Sequence, residues 1–249
     1  MLLHQLPVSH YNEKVRWTLD YKRLPHQRIT YLPGPHMGPI RRLTGATQTP
    51  VLVVDGEAIA GSATIIDALE RRHPDPALYP ADADERAQAL AIQRRFDDEF
   101  APAIRLALFA EILEDGAYFP DLFSQGKPWI KRFLYRLVFP LAKSTVRAAN
   151  GVTGPEAAAE ALATTQAALD YVDALRGGRR YLVGEAFSIA DLAAAALLMP
   201  TADLQHPDVR RGLPKGDAIR RWERRWAEHP SVRWVEQIYQ RHRPMPQSP

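Results

Sequence analysis

The sequence predicts an α/β domain followed by an all-helical one, and three observations carry that expectation. Short apolar runs of strand length alternate with helically spaced segments up to about residue 80. Pro74, Pro76 and Pro80 then punctuate the chain as a linker would. Beyond them the pattern is helical almost throughout, with no internal repeat. At 249 residues and 46% hydrophobic content, the chain can bury one large core or two joined ones.

Met1 to Leu6 has the apolar bias of a short first strand, and Tyr11 to Tyr21 shows helical spacing through Val15 and Leu19. Ser9 falls at the junction, in Ser-His-Tyr-Asn-Glu-Lys-Val-Arg. A helix start there points free N–H groups, and the positive end of the helix dipole, at whatever binds. Such ends stabilise thiolates and carboxylates, so a small thiol-containing acid is a better first guess for a ligand than a neutral hydrophobe. Taken locally, Ser9 reads most simply as an N-cap.

A second cluster, Gln48 to Ser62, shifts that balance. Val51–Val54 and Glu57–Ile59 flank an Asp55-Gly56 hairpin signal, and Ser62 precedes the helical run Ile65, Ile66, Leu69. Pro50 opens a strand, where a missing N–H is tolerated. A cis Thr49–Pro50 bond would turn the backbone N–H and C=O of Thr49 toward a ligand, to pair with it as a strand edge does.

In the helical half, Asp84 to Leu113 is one long helix that Pro102 can kink. Gly154-Pro155-Glu156 to Leu175 is another, with Pro in its first turn and Gly177-Gly178 beyond its end. Ser188-Ile189-Ala190-Asp191 has the spacing of a capping box, a folding signal. Helices over Asp217–Ala227 and Ser231–Arg241 close the chain. Between them Tyr118 to Asn150 is a long connection, in which Trp129, Phe133 and Leu137 recur with Ile130, Leu134 and Val138 beside them. Lys131, Arg132, Arg136 and Lys143 take other faces. Core packing is the expected use of this stripe, with a pocket wall, a dimer contact or a membrane-surface helix as the alternatives.

The two clusters together resemble the glutathione transferase family, in its serine- or cysteine-type classes related to tau, zeta and omega and in bacterial forms. The first motif is matched by Ser9, Lys14, Val15 and Arg16, and the second by Thr49, Pro50 and Ser62. The resemblance covers essentially the whole chain. It implies a thioredoxin-like β-α-β-α-β-β-α domain over 1–80 that binds glutathione, and an all-α domain over 84–249 on the side of a hydrophobic co-substrate. It also implies Ser9 as the catalytic hydroxyl, with Tyr11 as a second hydroxyl near it. His36, Gln48, Thr49, Pro50, Gly61 and Ser62 would be the glutathione contacts, with His36 as the basic residue for the glycyl carboxylate. Gly61 stands where the family places an acid, and one of Asp97, Asp98 and Glu99 is a candidate replacement. Arg16 is expected to be structural, and Arg105 to neutralise a carboxylate or steady the cleft. The capping box matches that family's box at the core helix of its second domain.

The implied function is glutathione S-transferase activity: glutathione as co-substrate, a thiolate attacking a small hydrophobic electrophile, or reduction of peroxides at the same site. The alternative is a family-fold protein that only binds or scaffolds. A homodimer is expected from the family. With no cysteine, disulfides, cysteine metal sites and CxxC redox chemistry are excluded, and no metal site is expected. The net charge of +3 is concentrated toward the end, where Gln205 to Pro249 holds ten Lys/Arg against five Asp/Glu. Arg220, Arg221, Arg224 and Arg225 alternate with Trp222 and Trp226 as an amphipathic helix with a buried Trp seam would, so nucleic-acid binding is not expected. No run is long and apolar enough to cross a bilayer and no leader precedes Ser9, so a cytoplasmic protein without membrane insertion is expected.

Overall fold

In the computed structural model, which describes residues 1–116, 118–212 and 214–246, the β-branched and apolar runs of the first half form one four-stranded sheet. Its strands are β1 (Leu2–Gln5), β2 (Gln27–Thr30), β3 (Val51–Val54) and β4 (Glu57–Ala60), in the order β2-β1-β3-β4. β1 pairs parallel with β2 (Leu2 opposite Gln27) and antiparallel with β3 (His4 opposite Val51). The parallel pair needs a crossover, which is α1 (His10–Tyr21). α2 (Met37–Thr44) and α3 (Ser62–Arg72) complete the unit. The hairpin between β3 and β4 turns on Asp55 (φ 52°) and Gly56 (φ 85°), both left-handed as a type I′ turn requires.

The helical half comprises α4 (Ala83–Arg95), α5 (Ala101–Ile112), α6 (Tyr118–Phe123), α7 (Trp129–Ala149), α8 (Pro155–Arg176), α9 (Ile189–Leu198), α10 (Asp217–Trp226) and α11 (Pro230–His242). The long helix expected over 84–113 is divided by a π-helical turn, Phe96–Phe100, directly before Pro102. Pro102 has no N–H to give the ladder, and the wider turn absorbs the break. α9 is buried on every side and forms the axis of the helical core. In α10 the Trp seam lies inward, Trp222 donating its indole N–H to the Pro200 carbonyl at 2.7 Å.

Two cores meet at α1. Val15 and Leu19 pack with Leu3, Leu52 and Ile65 against the sheet, while Trp17 belongs to the helical core. α1 is therefore apolar on two faces, and most of its polar residues are buried as well.

One sequence expectation is overturned. The stripe on α7 does not pack in the core: Trp129 is 77% and Leu141 84% exposed, and Phe133 and Leu137 are exposed too. The helix carries apolar residues on both sides, and a different seam turns inward. Phe139 stacks on Phe119 with centroids 4.9 Å apart, with Tyr135 beside it. Periodicity alone does not choose between two apolar seams.

The capping box at α9 is present. Asp191 accepts from the Leu182 N–H at 2.8 Å and the Ser188 N–H at 3.0 Å, and the Ser188 hydroxyl accepts from Ala190 N–H. Asp191→Ala leaves two buried donors unpaired and should lower unfolding free energy by about 1–3 kcal/mol. Urea denaturation checks this; a loss under about 0.5 kcal/mol, the range of a neutral surface change, would contradict it.

Candidate active site

Ser9 ends the turn from β1 into α1. Val8 before it is left-handed at φ 46°, an uncommon conformation for a β-branched residue, and Ser9 itself is extended. Although Ser9 occupies the N-cap position, its side chain makes no cap bond. The hydroxyl is instead held by Asn12, whose amide Nδ2 donates to Ser9 Oγ at 2.7 Å and to Thr49 Oγ1 at 3.1 Å. Asn12 is fully buried, so this link between α1 and the strand-opening segment is shielded from water. Because both hydroxyls accept from the amide, both keep their own protons free to donate elsewhere.

Ser9 and Thr49 line a cavity of about 530 Å³ between the two halves of the chain. Tyr11, His36 and Gln48 share the polar floor, and Leu108, Phe109, Phe119 and Tyr135 form an apolar wall from the helical half. Pro50, Gly61 and Ser62 stand beside the cavity without lining it. The Thr49–Pro50 bond is cis, and the Gly61 N–H donates to the Pro50 carbonyl at 3.1 Å. Gly61 is left-handed (φ 89°), and Ser62, buried, is the first residue of α3. His36 meets the cavity with its Nδ1 accepting from the Gly34 N–H at 3.1 Å, and burial holds its pKa below the usual imidazole value. It can offer a hydrogen bond to a carboxylate more readily than an ion pair.

Two other sequence candidates are already engaged. The Tyr11 hydroxyl donates to the Asp97 carbonyl at 2.6 Å, and burial raises its pKa. The Asp97 carboxylate is taken by the buried Lys14 ammonium at 2.6 and 2.8 Å. Glu99 pairs with Arg95 on the surface, and none of Asp97, Asp98 and Glu99 lines the cavity. Arg16 is structural, bound to Glu13 at 2.8 Å and buried.

Arg105 is different. It lines the cavity, its guanidinium lies 6.0 Å from the Tyr11 ring centroid, and its buried Nε has no hydrogen-bond partner. The other cavity arginine, Arg211, is paired with Glu223 at 2.9 Å. No carboxylate among the described residues lines the cavity, which leaves Arg105 as an uncompensated positive charge facing it. The missed residues are Asn12 and His10. Asn12 had a readable signal: a polar residue three positions after Ser9 shares its helix face. The described residues contain no group of three His, Asp or Glu side chains placed to hold a metal ion.

Residues 3–77 match the glutathione S-transferase N-terminal domain and residues 155–231 the glutathione S-transferase C-terminal domain, together more than half of the chain. A segment of 81 residues is 35% identical to a probable maleylacetoacetate isomerase of Caenorhabditis elegans, covering 32% of this chain and 38% of that protein. Among solved structures, a glutathione S-transferase from Methylobacterium radiotolerans in complex with glutathione sulfonate is 21% identical, with a TM-score of 0.58 over 100% of this chain and 96% of that one. The beta-etherase LigF from Sphingobium sp. strain SYK-6 is 18% identical, with a TM-score of 0.60 over 95% and 98%. The chain belongs to the glutathione S-transferase superfamily, with its thioredoxin-like N-terminal half and all-helical C-terminal half.

His10, next to Ser9, is buried with Nε2 unpartnered, and burial pushes its imidazole down to about 3. The unfolded chain takes up this proton near pH 6.5 and the folded one only near 3. His10 therefore costs stability as pH falls below 6.5, at up to about 1.4 kcal/mol per pH unit. His10 alone should account for about 2 kcal/mol of the change in unfolding free energy between pH 7 and pH 5, read as the difference between wild type and His10→Phe. Equal pH slopes for the two proteins would contradict this.

Proposed function

We propose that this chain is a glutathione S-transferase in which Ser9 stabilises the thiolate of bound glutathione during attack on an apolar electrophile. The observation that carries the reading is the Ser9 hydroxyl itself. It sits at the N-terminus of α1 on the cavity floor, free of any cap bond, accepting from Asn12 and so keeping its proton to donate. A serine hydroxyl is far too weak an acid to ionise at neutral pH and take the thiol proton as an alkoxide, so its role is to donate to sulfur. A hydrogen bond to the charged form, together with the helix dipole, favours the thiolate. The thiol proton leaves to solvent, the sulfur lone pair forms the new bond to the electrophilic carbon, and the displaced group departs with its electron pair.

The rest of the cavity supports an anionic tripeptide. Thr49, before the cis proline, offers backbone groups to the cysteinyl unit, and beside the cavity rather than in its lining Ser62 with the start of α3 suits the γ-glutamyl carboxylate. His36 would donate to the glycyl carboxylate. A cavity without carboxylates among the described residues and with the uncompensated Arg105 charge attracts a ligand of net negative charge. The apolar wall of Phe109, Phe119 and Tyr135 suits a hydrophobic co-substrate. Glutathione sulfonate bound to the Methylobacterium radiotolerans relative is consistent with the same ligand class here.

Steady-state conjugation of reduced glutathione to an aryl halide tests the reading. Ser9→Ala should lower kcat about 10- to 100-fold, the loss of one charge-assisted hydrogen bond, with glutathione affinity nearly intact. Ser9→Thr, which keeps a hydroxyl, should retain much of the rate. Unchanged kcat in Ser9→Ala would move thiolate stabilisation to backbone donors. Absence of turnover in every variant, wild type included, would favour a non-catalytic binding protein.

A further inference from the structure

The outer face of α7 is the largest feature that the proposed reaction leaves unused. At 100° per residue, Trp129, Phe133, Leu137, Ile130, Leu141, Leu134 and Val138 spread over about half of the helix circumference, and each is more than half exposed. A contiguous apolar face of this size on a monomer marks a contact surface.

Charge decides what it contacts. Residues 122–155 hold six Lys/Arg and no Asp/Glu, although the whole chain is only +3, so the remainder of the chain is net acidic. On the helix, Arg132, Arg136, Lys143 and Arg147 follow one border of the apolar face and Lys131 the other. Two acids from neighbouring helices reach that first border: Asp121 lies 3.8 Å from Arg136, and Glu114 binds Lys143 at 3.1 Å and also Arg147. Lys131 and Arg132 have no ion-pair partner among the described residues. A two-fold pairing of this face with a second copy would bring basic borders together, with only Asp121 and Glu114, each already engaged with cations of the same helix, to offset them. A broad apolar face with Trp at one end, a row of Lys/Arg along one edge and Lys131 on the other matches an interfacial helix, whose basic side chains extend to headgroups while the apolar side enters the acyl boundary. No helix among the described residues is long and apolar enough to cross a membrane, so α7 would lie in the surface plane.

We propose that α7 docks this protein on an anionic lipid surface, with the Trp129–Leu141 face in the bilayer interface and its basic borders on the headgroups. The opposite side of the same helix walls the cavity through Tyr135, Ala142 and Val146. The Tyr135 hydroxyl donates to the Pro33 carbonyl at 3.2 Å, fixing the helix against the N-terminal half. One helix thus stands between the cleft and the bilayer, the phase into which apolar electrophiles partition. That last consequence rests on the function proposed above; the docking itself does not.

Co-sedimentation of the full chain with vesicles, in the absence of glutathione, tests docking separately from the thiol site. The protein should sediment with phosphatidylcholine–phosphatidylglycerol vesicles, at least tenfold more tightly than with phosphatidylcholine alone, and rising salt should weaken the binding. Leu137→Asp/Leu141→Asp should reduce binding at least tenfold. Lys131→Glu/Arg132→Glu should do the same and remove the preference for anionic lipid. All four positions are exposed, and unchanged melting temperatures will show that the variants fold. Failure to bind either vesicle, or equal binding to both, would overturn the proposal. So would an oligomer in sedimentation velocity that Leu137→Asp dissolves without any vesicle binding, which would make the face a contact between copies.

Discussion

A buried network of ion pairs joins α1 to the end of the chain, and the placement of the site depends on it. Arg243 binds Glu13 at 2.7 Å, Asp20 at 2.8 Å and Asp208, while Arg16 binds Glu13 and Arg28 binds Asp20 and Asp208. Three carboxylates thus face three guanidiniums, and the charge balances locally. The neighbouring arginines hold the Glu13 and Asp208 carboxyls below their usual range against the opposing effect of burial. Burying Glu13, Arg16, Asp20 and Arg243, with Arg28 and Asp208 partly exposed at the edge, is costly, and removing one buried partner strands another, which typically costs 3–5 kcal/mol. Such a network contributes less to net stability than to fixing one arrangement of the parts. Here the part fixed is the helix whose first turn carries Ser9.

The same helix is pinned at other points. Lys14 holds Asp97 in the π-helical turn, Lys22 reaches Glu70 at 2.5 Å, and the Trp17 indole donates to the His242 carbonyl at 2.9 Å. α1 is thereby clamped to α3, to the turn before α5 and to the end of α11. Its N-terminus is left facing the cavity with free N–H groups and an uncommitted hydroxyl proton. Rigid support for one precisely placed donor is what thiolate stabilisation requires. The opposite wall, from α5, α6 and α7, is largely aromatic and aliphatic with Arg105 as its charged member, so apolar accommodation falls to the helical half and the hydroxyl and imidazole donors to the N-terminal one.

Local chemistry explains what was legible in the sequence. The strand-to-helix junction at Ser9, the Asp55-Gly56 turn, the capping box of Ser188 and Asp191, the Trp222/Trp226 seam and the start of α8 at Pro155 all rest on residues within a few positions of each other. Each stands in the structure where the pattern put it. What was not legible depends on distant partners. Asp97 looked free to replace the acid missing at Gly61, but Lys14, 83 residues away, takes it. The spacing of Asn12 from Ser9 was readable, but its second bond, to Thr49 37 residues away, was not. The inward seam of α7 is chosen by Phe119 stacking on Phe139, which no periodicity within α7 reveals. Pro102 announced a break, but not that it would take the form of a π-helical turn whose Phe96 and Phe100 sit in the helical core.

The central claim is that the cavity beside Ser9 binds reduced glutathione, and the melting temperature with and without that thiol tests it most directly. A ligand that binds only the folded chain adds about 2.7 kcal/mol of stability at a hundred times its Kd, so a saturable rise in Tm is predicted. No shift at millimolar concentrations of reduced glutathione would contradict the account.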